Sequence, residues 1–185
     1  MFVPQRKLLA VILAAVAFIV FANTCGNGYV LDDLAVIKQN RYVNEGIKAI
    51  PRILATPYLK GYKRATDTVA SNDLYRPVSL VMFATEYQLS GGSPAVSHFV
   101  NVLIFACCVV LLFFFIDRIF ERQQTGMAFV AALLFAVHPI HTEVVANIKS
   151  RDEILSLLFI TLTFIYAFRY RDNDKLSALI KALLC

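Results

Sequence analysis

The chain reads as an all-α polytopic membrane protein. Two observations carry this: 58% of its 185 residues are hydrophobic, against about 45–50% in soluble domains, and that excess is gathered into separate runs. A third observation is the placement of cations, which sit beside the apolar runs and in the long polar segment between the first two. Mean hydropathy is +0.64. The formal net charge of +5 is modest, and there is no RNP-type motif, zinc-finger spacing or basic helix, so nucleic acid is not an expected partner. The four cysteines supply no disulfide framework; Cys107 and Cys108 lie inside an apolar run, where such residues act as small apolar fillers.

Four apolar stretches predict the spans. The first is Leu8 to Ala22, preceded by Arg6 and Lys7, and it predicts a span over about 5–23. The second, His98 to Ile116, is followed by Asp117-Arg118 and Glu121-Arg122 and predicts a span over 97–116. The third runs from Met127 to Val137 and meets His138-Pro139. The fourth is Ile154 to Phe168, followed by Arg169, Arg171 and Lys175, and predicts a span over 152–170. A crossing helix needs roughly 20 apolar residues; the second stretch reaches this outright, and the first and fourth reach it with flanking residues such as Phe2 and Tyr170. The third is too short on its own. It either continues to Ile148, as a span over 126–148 broken at Pro139, or stops below the surface beside a wet cavity.

Flanking charge sets the expected orientation. Arg6/Lys7, Arg118/Arg122 and Arg169/Arg171/Lys175 all fall on one side if the N-terminus is cytoplasmic. The outer loop 24–96 and the junction His138–Glu153 then share the opposite side. Lys149 and Arg151 run against the rule in that short outer junction, which marks them for chemistry. A cleaved signal peptide is the competing reading of the first stretch, but Phe21-Ala22-Asn23-Thr24-Cys25 offers neither a clean cleavage site nor a clear lipobox. Within the outer loop, Ala49–Leu59 and Val78–Leu89 read as amphipathic interfacial helices, with Val78, Met82, Phe83 and Tyr87 or Glu86 at helical spacing. Ser90-Gly91-Gly92-Ser93-Pro94 reads as the turn into the second span. Residues 175–185 read as the start of another apolar helix, so a fragment of a longer protein is expected.

The chemistry-bearing residues cluster in the polar segments. Asp32 and Asp33 follow the tight turn Gly26–Leu31; they suit a general base, an oxygen-ligand site for a divalent cation, or a cap for a helix starting near Leu34. Arg76 opens an amphipathic helix, where it suits a phosphate or a snorkelling position. The junction HPIHTEVVANIKSRDE holds His138, His141 and Glu143, in a spacing that is not standard for zinc. These three suit the coordination of an anionic headgroup or the satisfaction of a broken helix end. Arg151 suits a leaving phosphate, or a surface pair with Asp152 or Glu153.

Taken in order, GYVLDDLAVI, LYRPVSLVMFATEYQLSG, HFVNVLIF and FAVHPIHTEVVANIKSRDEIL are similar to the transmembrane-and-tetratricopeptide-repeat proteins. These are GT-C-fold glycosyltransferases that use polyprenyl-phosphate sugars, and the resemblance covers about Phe18 to Tyr170, nearly the whole chain. It implies the N-terminal part of a GT-C fold. It also implies inverting transfer of a sugar, mannose being the one suggested, from a polyprenyl- or dolichyl-phosphate carrier to a hydroxyl acceptor such as protein Ser/Thr on the outer or luminal face. The implied base is Asp32 or Asp33. The implied lipid-phosphate residues are Arg151, with His138, His141 and Glu143 as orienting partners, then Arg76, with Asp152 orienting Arg151 or the acceptor. The implied partners are membrane lipid, the lipid-linked donor and a protein or glycan acceptor. No nucleotide is needed, and a divalent metal is compatible but not required. Bacterial inner membrane and endoplasmic reticulum both fit. The fragment alone is expected to be inactive, since later helices would complete the lipid groove. A non-catalytic membrane scaffold or transporter fragment is the competing class, and the absence of an inverted repeat weighs against the transporter.

Overall fold

The computed structural model describes residues 3–62, 74–173 and 176–185. Phe2, Lys175 and the loop stretch 63–73 lie outside the described residues. Among those described, the chain is helical and carries no strand beyond a single bridge between Asn40 and Tyr62. The protein is an all-α polytopic membrane protein. Three helical segments are long and apolar enough to cross a membrane: Gln5–Gly26, Pro94–Ile119 and Ile148–Asp172.

The first compact unit comprises residues 1–22, 102–142 and 153–185. It contains α1 (Val3–Phe21), most of α5 (Pro94–Ile119), α6 (Thr125–Val137), most of α8 (Arg151–Asn173) and α9 (Leu176–Leu184). Helices α1 and α6 pack together. The side chains they bury recur every three or four residues and are mostly small: Ala10, Leu13 and Ala17 on α1, Ala128, Ala132 and Ala136 on α6. Lipid tails are as apolar as these residues, so burial from water does not drive such a seam. Close backbone approach does, and alanine permits it. Between α5 and α6, Asp117 is buried and accepts a hydrogen bond from Thr125 Oγ1 at 2.7 Å.

Helix α6 is 13 residues long and ends at Val137. The cause is local. Pro139 disfavours helical backbone in the residue before it, and His138 is extended, with φ −68° and ψ 127°. The chain resumes at once in the short α7 (His141–Ala146).

The second unit comprises residues 23–101 and 143–152. Its elements are a π-helical turn (Leu34–Lys38), α2 (Arg41–Asn44), a 3₁₀ turn (Gly46–Ala49), α3 (Ile50–Ala55), α4 (Pro77–Ser90) and a second 3₁₀ turn (Ile148–Ser150). Asn40 caps α2, its Oδ1 accepting from the backbone N–H groups of Tyr42 and Val43 at 3.0 and 3.4 Å. Gly61 passes so close that a Cβ there would lie 1.9 Å from that oxygen. Helix α4 starts with proline at its first position and stops where Gly91 turns left-handed at φ 67°, its N–H reaching Tyr87 O.

The inward stripe of α4 differs from the expected one. Ser79, Leu80, Phe83, Ala84 and Glu86 are buried, whereas Val78 is half-exposed and Met82 only partly buried. The expected pattern followed the large apolar residues. The observed one follows a polar cluster that must be enclosed, together with a core of Val36, Ile37, Val43, Ile53, Phe83 and Ile148.

Candidate functional site

The turn that presents the two aspartates is held tightly. Leu31 sits at φ 44°, a left-handed conformation that a branched residue adopts only under constraint from its surroundings. The constraint is Asp33. Its Oδ2 accepts from Val30 N–H at 3.2 Å, and its Oδ1 accepts from Lys149 N–H at 2.8 Å. One buried carboxylate thus ties the turn at residues 30–33 to the 3₁₀ turn at residues 148–150. Asp33 makes no side-chain cap to the helical turn that follows it.

Burial raises the Asp33 carboxyl pKa above its ordinary value, opposed by the two backbone N–H groups. The folded state therefore holds this proton more tightly than the unfolded chain does. The stability Asp33 contributes is fully present below the ordinary carboxylate range and is lost as pH rises through its raised value. Unfolding midpoints of the wild type should accordingly decline over the first pH units above about 4, and Asp33→Asn should flatten that slope. Parallel slopes for the two proteins would refute this.

Asp32, in contrast, is exposed. Its carboxylate lies 3.7 Å from Lys149 Nζ, with 68% of the Asp32 side chain and 26% of the Lys149 side chain accessible. Both residues line a cleft of about 240 Å³ whose other walls include Tyr58, Leu59, Leu74 and Arg76. Arg76 forms an ion pair with Asp152 and lies 5.9 Å above the ring of Tyr58. Burial holds the Tyr58 phenol protonated well above its usual range. The cleft therefore presents one accessible carboxylate, two cations and a neutral phenol within a single small volume.

Arg151 lies elsewhere than expected. Its side chain is 0% exposed. Nη1 and Nη2 donate to both oxygens of Glu86, Nη2 also donates to Ser97 O at 3.0 Å, and Nε donates to Asn101 Oδ1 at 2.7 Å. The guanidinium stacks 4.4 Å from the Phe83 ring. Ser97 Oγ donates to Glu86 Oε2 at 2.7 Å, and Asn101 Nδ2 donates to Asn147 O at 3.2 Å. The partner is neither Asp152 nor Glu153, because the apolar helices leave Glu86 as the carboxylate enclosed with it. Arg151 thus anchors the residue-147–150 segment that carries Lys149.

The two histidines belong to the first unit. His141 packs on Phe135 and Phe105, with ring centroids 4.2 and 5.3 Å apart, and burial lowers its pKa. His138 is exposed, and its Nδ1 accepts from Ile140 N–H at 3.2 Å, closing the break after α6. Glu143, in the second unit, is exposed in the first turn of α7. Among the described residues, no group of three His, Cys, Asp or Glu is arranged to hold a metal ion.

The structure therefore brings Asp32 and Arg76 to one cleft, with Asp152 paired to Arg76, while Asp33 is buried and braces the turn that carries Asp32. Sequence reasoning omitted Tyr58, Ser97 and Asn101 as site residues, placed Glu86 only as an alternative in the α4 stripe, and did not assign Lys149 a binding role. The signal for Glu86 and Asn101 was a single charged or amide residue within an otherwise apolar helical run, which requires a partner.

Fold and site define a polytopic helical membrane protein with a charged cleft in its second unit. Comparison with known proteins gives this class a closer likeness. The chain is 33% identical over 165 residues to the mouse protein O-mannosyl-transferase TMTC1, 29% identical over 180 residues to human protein O-mannosyl-transferase TMTC4, and 32% identical over 195 residues to the Drosophila melanogaster protein O-mannosyl-transferase Tmtc3. These matches cover 89%, 90% and 92% of this chain but only 17%, 24% and 20% of the relatives. The resemblance drawn from the motifs is thus found independently across nearly the whole sequence. No family model and no solved structure matches the chain.

Proposed function

We propose that the chain is the donor-side part of a membrane glycosyltransferase that moves a sugar, mannose, from a polyprenyl-phosphate carrier to a hydroxyl acceptor on protein Ser or Thr. The observation that carries this is the cleft in which Asp32 faces Lys149 and Arg76. The names of the relatives support the sugar and the acceptor class. In this reading the acceptor oxygen attacks the anomeric carbon, Asp32 takes its proton, and the bond from that carbon to the carrier phosphate oxygen breaks with its electron pair leaving on the phosphate. Lys149 and Arg76 offset the charge that develops there, and Asp152 orients the Arg76 guanidinium. Arg151 acts as a positioning residue through Glu86 and Asn101. His138, His141 and Glu143 shape the neighbouring break in the chain and take no direct part. The N-terminus is cytoplasmic, the cleft lies on the luminal side, and the membrane is that of the endoplasmic reticulum, which suits an animal set of relatives.

Binding of dolichyl phosphate to the protein in detergent tests the assignment. Lys149→Ala and Arg76→Ala should each weaken binding by about tenfold, the loss of one charge-assisted contact. Wild-type affinity in both variants would remove the phosphate from this cleft.

A further inference from the structure

A second charged cavity lies in the first unit, and none of its lining residues takes part in the proposed transfer. It has a volume of about 480 Å³ and is built from the Arg6 end of α1, the Asp117 end of α5 with the turn after it, and the Arg169 end of α8. Two of its cations are neutralised. Arg6 Nε lies 3.3 Å from Asp117 Oδ2, with Arg6 Nη2 donating to Arg122 O at 3.2 Å, and Arg118 pairs with Asp172. Lys7, Arg122 and Arg169 also line the cavity. All three are exposed, and among the described residues none has a carboxylate partner. Five cations against two carboxylates leave three positive charges in excess around one half-open cavity.

Cations that only mark the orientation of a span need not converge, because each can reach water separately. Here they converge from three helix ends that are far apart in sequence. The remaining walls are apolar: Phe114, Ile165 and Phe168. Cations that share one cavity favour an anion among them. A phosphate diester with an attached acyl chain meets both halves of the lining, its anion among the guanidinium and ammonium groups and its chain along the phenylalanines.

We propose that this cavity binds the headgroup of an anionic phospholipid, one molecule per chain. The proposal does not rest on the transfer reaction. The test is native mass spectrometry of the detergent-purified protein with phosphatidylglycerol and with phosphatidylcholine of identical acyl chains. One phosphatidylglycerol should be retained about tenfold more strongly than phosphatidylcholine. A Lys7→Gln/Arg122→Gln/Arg169→Gln variant should lose that preference, and a Lys7→Arg/Arg122→Lys/Arg169→Lys variant should keep it. Equal retention of the two lipids by the wild type, or an unchanged preference in the glutamine variant, would overturn the proposal. Displacement of the lipid by millimolar glycerol phosphate would assign the cavity to a soluble phosphate instead and overturn the lipid assignment. If the triple glutamine variant does not purify folded, the three single variants are read in its place, and an unchanged preference in all three overturns the idea.

Discussion

Arg151→Ala should lower stability by about 3–5 kcal/mol, the characteristic loss when one partner of a buried ion pair is removed and the other is left charged and enclosed. The size follows from the surroundings. Among the described residues Glu86 would keep only Ser97 Oγ as a donor, Asn101 would lose the donor to its Oδ1, and the space over the Phe83 ring would empty. Chemical or thermal unfolding of the protein in detergent measures this directly. Replacing both partners by apolar residues of similar size, as in Glu86→Leu/Arg151→Met, should recover a substantial part of the loss, because no charge is then left unpaired. If Arg151→Ala instead unfolds like the wild type while dolichyl-phosphate binding disappears, the guanidinium faces the lipid and the anchoring role assigned here is wrong.

Asp32→Asn should reduce sugar transfer by about 10²- to 10⁴-fold, the range spanned by one general base, with the fold unchanged. The carboxylate is largely in solvent and, among the described residues, its ion pair is the 3.7 Å contact with Lys149, so little structure depends on it. Its neighbour should behave in the opposite way. Asp33→Ala removes the acceptor of the part-buried backbone N–H groups of Val30 and Lys149, at about 1 kcal/mol for each. Transfer measured on the natural protein in its membrane, alongside its unfolding midpoint, separates the two aspartates. Full activity in Asp32→Asn would end the base assignment.

Much of the architecture was legible before any coordinates. Long apolar runs with cationic flanks are a strong signal because the bilayer imposes length and composition together. The helix break at His138-Pro139 was legible for the same kind of reason: proline restricts the residue before it whatever the tertiary surroundings. The pairing of charges was not. Arg151 has Asp152 and Glu153 beside it in sequence, yet it binds Glu86, 65 residues away. Nothing local distinguishes those three carboxylates; enclosure does, and enclosure is decided by which face of α4 turns inward. The same gap explains the Val78–Leu89 stripe. Hydrophobic spacing alone favours Val78 and Met82, whereas the enclosed pairing of Glu86 with Arg151 and Ser97 accompanies the rotation observed. Asp33 was among three open readings, and the observed role, bracing two distant backbone turns, was none of them.

The brevity of α6 has a consequence outside the protein itself. Thirteen residues rise about 20 Å, against a hydrocarbon layer about 30 Å thick. Where this helix meets lipid, the shortfall of about 10 Å is met by other parts of the protein or by a local dimple in the bilayer. A dimple costs elastic energy that grows with the resting thickness of the membrane. The three segments that are long enough to cross, of 22, 26 and 25 residues, match the full hydrocarbon thickness, so any such thinning is confined to the lipid beside α6.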